Sequence, residues 1–163
     1  MIHVLFVCLG NICRSPMAEA VLRHQVKEAG LDDRIVVDSA GTGDWHVGQA
    51  PHQGTQRQLN KVKIEHKDIR ARQVARDDWV AFDYIIAMDA QNRKDMLRLM
   101  GQPSNAESAD DSRKKVYLFM DFVPNARVKD VPDPYYTGNF EHVYELIEEG
   151  CRNLLSHIRE RLA

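Results

Sequence analysis

Residues 2–15 read Ile-His-Val-Leu-Phe-Val-Cys-Leu-Gly-Asn-Ile-Cys-Arg-Ser, and Pro16 follows. The first six (IHVLFV) are short, apolar and β-rich, the pattern of a strand buried on both faces. Cys8 to Ser15 then form a loop, and Pro16 stands where a helix takes its first residue. Residues 17–29 continue as that helix and stop at Gly30, a C-terminal glycine. A strand, a tight polar loop and a helix start in this order place a thiol (Cys8) and a guanidinium (Arg14) at the two ends of one loop. The loop faces the positive end of a helix dipole, which favours a bound anion.

The same reading continues outward. Residues 34–38 (RIVVD) are a second strand, 41–51 a Gly-rich loop and 52–61 a second helix. Residues 83–88 (DYIIAM) are a third strand, followed by a helix over 90–100 and Gly101. The polar stretch 102–115 reads as a mobile surface loop. Residues 116–120 are a fourth strand, and a long loop runs on to Gly138. In the last helix Phe140, Val143, Tyr144, Ile147, Cys151, Leu154, Leu155 and Ile158 recur at helical spacing. Cys151 lies on that apolar stripe and reads as an inert core residue.

Four alternations of strand and helix predict an α/β fold: one domain over 1–163, a four-stranded parallel sheet and helices on both faces. Right-handed crossovers give the strand order 2-1-3-4, with the first strand at the switch point where ligands bind beyond the strands' carboxyl ends. Four loops (8–15, 39–51, 89–92 and 121–137) meet on that edge. Topology alone therefore brings Cys8, Ser39, Trp45, Asp89 and Asp133 to one side of the molecule.

Composition narrows the partners. The 163 residues hold 22 Lys and Arg against 24 Asp and Glu, a net charge of −2. That is not the basic excess of a nucleic-acid binder, so no nucleic-acid partner is expected. No apolar run approaches a membrane span and the start lacks a basic signal region, so no membrane partner is expected either. Three cysteines (Cys8, Cys13 and Cys151) are too few for a disulfide framework and fit a reducing cytoplasm. No Cys/His spacing suggests zinc, and no metal or cofactor is expected. The loop lacks a Walker A pattern and a dinucleotide fingerprint.

The chemistry of the loop follows from its residue types. Gly10 and Asn11 tolerate the left-handed dihedrals of a tight turn. Arg14 supplies a planar fork for two phosphate oxygens. Such a field favours the thiolate of Cys8, a nucleophile beneath a bound oxyanion. Asp133-Pro134 reads locally as a turn start. Its place on the same edge, followed by Tyr135 and Tyr136, points instead to an acid beside an aromatic slot. Trp45, Tyr135 and Tyr136 lie outside the helix and strand stripes, so they are expected to wall a pocket for a flat ring. A peroxide-oxidised Cys8 is expected to be trapped by Cys13 as a disulfide.

CLGNICRS at 8–15, SAGT at 39–42, FDYIIAMD at 82–89 and DPYY at 133–136 together resemble the low-molecular-weight protein tyrosine phosphatases, bacterial members above all. The likeness covers essentially the whole chain. It implies a cofactor-free phosphomonoesterase acting on phosphotyrosine in proteins, and on small aryl phosphates, through a phosphocysteine. By it, Cys8 is the nucleophile, Arg14 holds the phosphoryl group and Asp133 is the general acid. Leu9, Gly10, Asn11, Ile12, Cys13, Arg14 and Ser15 form the phosphate site, with Asn11, Ser15 and Ser39 as its hydrogen-bonded support. Ile12 joins Trp45, Tyr135 and Tyr136 in the substrate pocket, and a monomer is expected.

One departure stands out. Many family members carry a His that supports the loop Asn just before an Ala-Arg-Gln segment, and the matching position is Ile69, with His66 three residues early. The Asn11 network is therefore expected to be shorter, with Ser39 carrying more of it. Four other functions compete. A redox arsenate reductase needs relay cysteines that residues 80–90 lack. A phosphocysteine carrier needs no acid at Asp133, and a phosphotyrosine-binding module needs no Cys8. An arginine phosphatase of the same fold resembles this loop but carries Thr where Ile12 stands.

Overall fold

The computed structural model describes residues 1–102 and 116–162. The stretch read as a mobile loop falls, but for Gln102, outside them. The elements in order are β1 (Ile2–Cys8), α1 (Arg14–Glu28), β2 (Ile35–Gly41), α2 (Gln53–Lys61) and α3 (Asp78–Ala81). They continue with β3 (Tyr84–Ala87), α4 (Ala90–Leu99), β4 (Val116–Leu118), α5 (Pro134–Thr137) and α6 (Phe140–Leu162), with a 3₁₀ turn, Phe119–Phe122, after β4. The four strands form one sheet, β2-β1-β3-β4. Every pairing is parallel, as the crossovers require.

Alternation along β1 divides the core into two layers. Val4, Phe6 and Cys8 face the side covered by α1 and α6, where Met17, Leu22, Ile147 and Leu154 are buried. Leu5 and Val7 face the other side, against Ile85, Met96 and Leu97. The Cys8 side chain thus emerges at the carboxyl end of the central strand, on the α1 side. Cys151 is buried in the first layer as expected, and burial pushes its thiol well above the ordinary range. Gly150 interrupts the apolar stripe of α6 for a reason of space: a Cβ there would lie 2.3 Å from the Phe119 ring.

Several boundaries differ from the sequence reading, each for a tertiary reason. Helix α1 starts at Arg14, so Pro16 lies inside the first turn, where its missing N–H costs nothing. Strand β2 runs to Gly41 because β1 pairs it as far as Cys8↔Gly41, which puts Ser39 in a strand. Strand β4 ends at Leu118, and the chain tightens into the 3₁₀ turn. Tyr135 and Tyr136 sit in the one-turn helix α5, capped by Asp133 and ended by Gly138 at φ 73°, where an open loop was expected.

Candidate active site

The loop after β1 owes its shape to Asn11, the residue that takes the left-handed conformation, at φ 55°. Gly10 was expected to share that role. It is instead small because His46 packs over it, 3.1 Å from where a Cβ would be. At this turn the Asn11 amide donates to the Cys8 sulfur at 3.3 Å, and Ser15 Oγ lies 2.9 Å from the same sulfur. Asn11 Nδ2 donates to Ser15 Oγ (2.7 Å) and to Ser39 Oγ (2.9 Å), while its Oδ1 accepts from the Arg72 amide at 2.9 Å. An amide nitrogen can only donate, so the Ser15 hydroxyl proton is left free to point at the thiol.

The network does not stop at Ser39. Ser39 Oγ donates to Glu19 Oε1 at 2.6 Å. Ile69, where the family's supporting His would stand, is buried among apolar side chains. The expected shortening is therefore corrected: the Arg72 amide holds one end of Asn11, and Ser39 and Glu19 extend the other. Burial pushes the Glu19 carboxyl up to about 7, helped by Asp38 and opposed by its Ser39 hydrogen bond and by Arg23.

Arg14 is buried at the first turn of α1 and points back into the loop. Its NH1 donates to Asp89 Oδ2 at 2.7 Å and to the Val131 carbonyl at 3.0 Å, and its NH2 reaches Asp133 Oδ2 at 3.5 Å. Burial works against its charge, yet the charges of Cys8, Asp133 and Asp89 together hold its pKa above the ordinary value. Asp89 also caps α4 by accepting from the Asn92 amide. Asp133 Oδ1 accepts from the Tyr135 amide at 3.1 Å, so one oxygen caps α5 and the other faces the loop. Cys13 is buried at the end of the loop, where it meets α1, and burial, then Cys8 and Asp133, push its thiol up to about 12.

These groups share one cavity of about 270 Å³. Cys8, Ile12 and Arg14 form its buried base, and Asp133, Trp45, Tyr135 and Tyr136 its sides. The Tyr135 and Tyr136 rings meet edge to face at 5.4 Å, and His52 abuts Tyr135 at 6.0 Å. Of the residues expected in the phosphate site, Leu9, Gly10, Ile12, Cys13 and Arg14 line this cavity with Cys8, Asp133 and the three aromatics, while Asn11, Ser15 and Ser39 stand buried behind it.

Three neighbours were not predicted in a role: His46 in the cavity wall, Asp89 behind Arg14, and Glu19 behind Ser39. For Glu19 a signal existed, since Ser15, Glu19 and Arg23 are spaced by four and so share one helix face. Among the described residues no cluster of His, Cys, Asp and Glu could hold a metal ion.

A thiol and a guanidinium at the two ends of one loop, faced by a carboxyl group and ringed by aromatics, are the arrangement that a cysteine-dependent phosphoester site requires. Comparison with known proteins places it further. The family model for low molecular weight phosphotyrosine protein phosphatase matches residues 3–163. The low molecular weight protein-tyrosine-phosphatase YfkJ of Bacillus subtilis is 48% identical over 160 residues, covering 98% of this chain and 97% of its own. The crystal structure of YfkJ superposes with a TM-score of 0.90, at 47% identity and 99% and 96% coverage. PtpA of Staphylococcus epidermidis is 44% identical over 158 residues, covering 97% and 94%. A Drosophila arginine phosphatase structure is also similar, at 35% identity, a TM-score of 0.81 and 95% and 96% coverage. The chain belongs to the low-molecular-weight phosphotyrosine protein phosphatase family.

Proposed function

We propose that the protein hydrolyses phosphotyrosine in polypeptides, and small aryl phosphates, through a phosphocysteine on Cys8. The observation that carries this reading is the convergence of Cys8, Arg14, Asp133 and the three aromatic side chains on one cavity. The Cys8 thiolate attacks phosphorus in line, and the bond from phosphorus to the tyrosyl oxygen breaks. Arg14 and the amides of residues 9–15 hold the equatorial oxygens, where transition-state charge is spread. Asp133 gives its proton to the departing phenolate. In the second step Asp133, now a carboxylate, takes a proton from water as that water attacks phosphorus. The P–S bond breaks, and the sulfur leaves as a thiolate stabilised by the Ser15 hydroxyl and the Asn11 amide.

Trp45, Tyr135 and Tyr136 set the depth of the slot, so that a flat ring reaches Cys8 and a shorter phosphoserine does not. Cys13 serves as redox partner: a Cys8 sulfenic acid condenses with the Cys13 thiol to a disulfide and water. With the Cys13 thiol held so high, that condensation should quicken as pH rises. The reading takes the chain as one catalytic domain acting as a monomer, and it is supported by a site whose named groups all come from a single copy. Three free cysteines suit a reducing cytoplasm.

A second reading, phosphoarginine hydrolysis, is supported by the similarity to the Drosophila arginine phosphatase. Ile12 argues against it, since an apolar side chain at the cavity base gives a guanidino group nothing to bond. The test is a panel of phosphotyrosine, phosphoserine, phosphoarginine and arsenate at matched concentration. Phosphotyrosine turned over fastest supports the proposal, and phosphoarginine turned over fastest replaces it with the second reading.

A further inference from the structure

Of this network the catalytic steps above use only Ser15 and Asn11, yet the hydrogen-bond chain runs on through Ser39 to a buried carboxyl. Glu19 is 6% exposed and lies one helical turn beyond Ser15 in α1. Each link has a defined direction. Asn11 Nδ2 can only donate, so both serine oxygens accept from it. Ser39 then donates its own proton to Glu19, and Ser15 has its proton left for Cys8. This order holds while Glu19 is an acceptor. A protonated Glu19 has a hydrogen of its own to give to Ser39, and once the Ser39 oxygen accepts it the Ser39 proton no longer has Oε1 as its acceptor. The Ser39 hydroxyl must then turn, which loosens its bond from the Asn11 Nδ2 that also holds Ser15.

We propose that Glu19 is a positioning residue whose charge state sets the direction of the Ser39 and Ser15 hydroxyls, and so how well the loop stabilises the Cys8 sulfur. This rests on the phosphocysteine reading for its catalytic consequence, though not for the linkage itself. The surroundings of Glu19 suit a group that titrates. On its own helix Arg23 approaches Oε2 at 3.4 Å, but Asp68 takes the same guanidinium through two bonds at 2.9 and 2.8 Å. From β2 come Ser39 and Asp38, and Asp38 is itself paired with Arg72 at 3.0 Å. Glu19 is thus buried with one shared cation and one hydroxyl, and its carboxyl is held near neutrality.

The experiment compares wild type with Glu19→Gln across the neutral pH range by two readouts. One is kcat on p-nitrophenyl phosphate, and the other is the rate of Cys8 alkylation by iodoacetate, which needs no turnover. Gln does not ionise, so the variant should lack that one titration whichever way its amide faces Ser39. The ratio of wild type to variant should step once near pH 7 in both readouts, and wild-type kcat should gain about two- to tenfold across the step, the worth of one hydrogen bond. Shared ionisations cancel in the ratio. Ser39→Ala, which cuts the link and leaves Glu19 in place, should give the same step and serves if Glu19→Gln does not fold. Ratios that do not vary with pH in either readout overturn the proposal. A stepped alkylation ratio with no wild-type turnover leaves the linkage standing and overturns the phosphatase reading.

Discussion

Replacing Asp133 by Asn isolates the proposed acid from the fold, because the two carboxylate oxygens have separate duties. Oδ1 caps α5 through the Tyr135 amide, while Oδ2 faces Arg14 at 3.5 Å. Asn caps a helix about as well as Asp, so α5 should stay in place. The ion pair lost is long and its carboxylate is partly exposed, so the stability cost should stay within about 1 kcal/mol. General acid catalysis contributes about 10²–10⁴ in rate, which is about 3–5 kcal/mol of barrier. The catalytic effect should therefore exceed the structural one several-fold. Asp133→Ala should lose the same rate and about 1 kcal/mol more stability, the cap itself. The assay is kcat over a series of aryl phosphates with increasingly acidic phenols, beside urea melts of all three proteins. The loss should shrink as the phenol becomes more acidic, because a stable phenolate needs no proton. An equal loss across the series would refute Asp133 as the acid and leave it a cap.

Three further outcomes are expected. Gly43→Ala would place a Cβ 1.9 Å from the Trp45 ring, so the ring must swing away. KM for aryl phosphates should then rise about five- to tenfold, the worth of one aromatic contact, while the inhibition constant of inorganic phosphate stays unchanged. Glu19→Gln should alter the pH dependence of stability. A carboxyl raised from 4.5 to about 7 by folding binds more protons in the native state over that window, so wild-type stability falls as pH rises through it. The full effect is roughly 3 kcal/mol, and the variant should lack it, gaining on wild type in melts at alkaline pH and not at acid pH. Ile12→Thr should raise kcat/KM on phosphoarginine relative to phosphotyrosine, since a hydroxyl replaces the apolar surface at the cavity base.

The sequence made the sheet legible because its strands are short, apolar and bounded by clear breaks, and because right-handed crossovers leave few orders open. The proposed nucleophile and anion grip were legible from one loop, since five residues separate Cys8 from Arg14 between a strand and a helix. What escaped depends on contacts distant in sequence. Ser39 looked like a loop residue because local preference ends the strand at Asp38, while pairing with β1 extends it to Gly41. The first turn of α1 was hidden because Ser15-Pro16 has the pattern of an N-cap and a first helical residue, which sets the start two residues late. Asp89 was placed only on the sheet edge; in the structure one oxygen caps α4 and the other holds Arg14, a contact no local pattern shows. The missing His at Ile69 suggested a weaker support for Asn11, and no local signal showed that the Arg72 amide takes that place.

The central claim is that phosphorus is carried on Cys8 between two chemical steps. It is tested most directly by mixing the wild-type protein with an aryl phosphate, quenching in acid within the first turnover, and locating the phosphoryl group by mass spectrometry of the peptides. The account predicts one phosphoryl group on the peptide that contains Cys8, bound through sulfur, rising with the burst of phenol and absent in Cys8→Ser. A burst of phenol with the phosphoryl group on another side chain, or phenol release undiminished in Cys8→Ser, would contradict it.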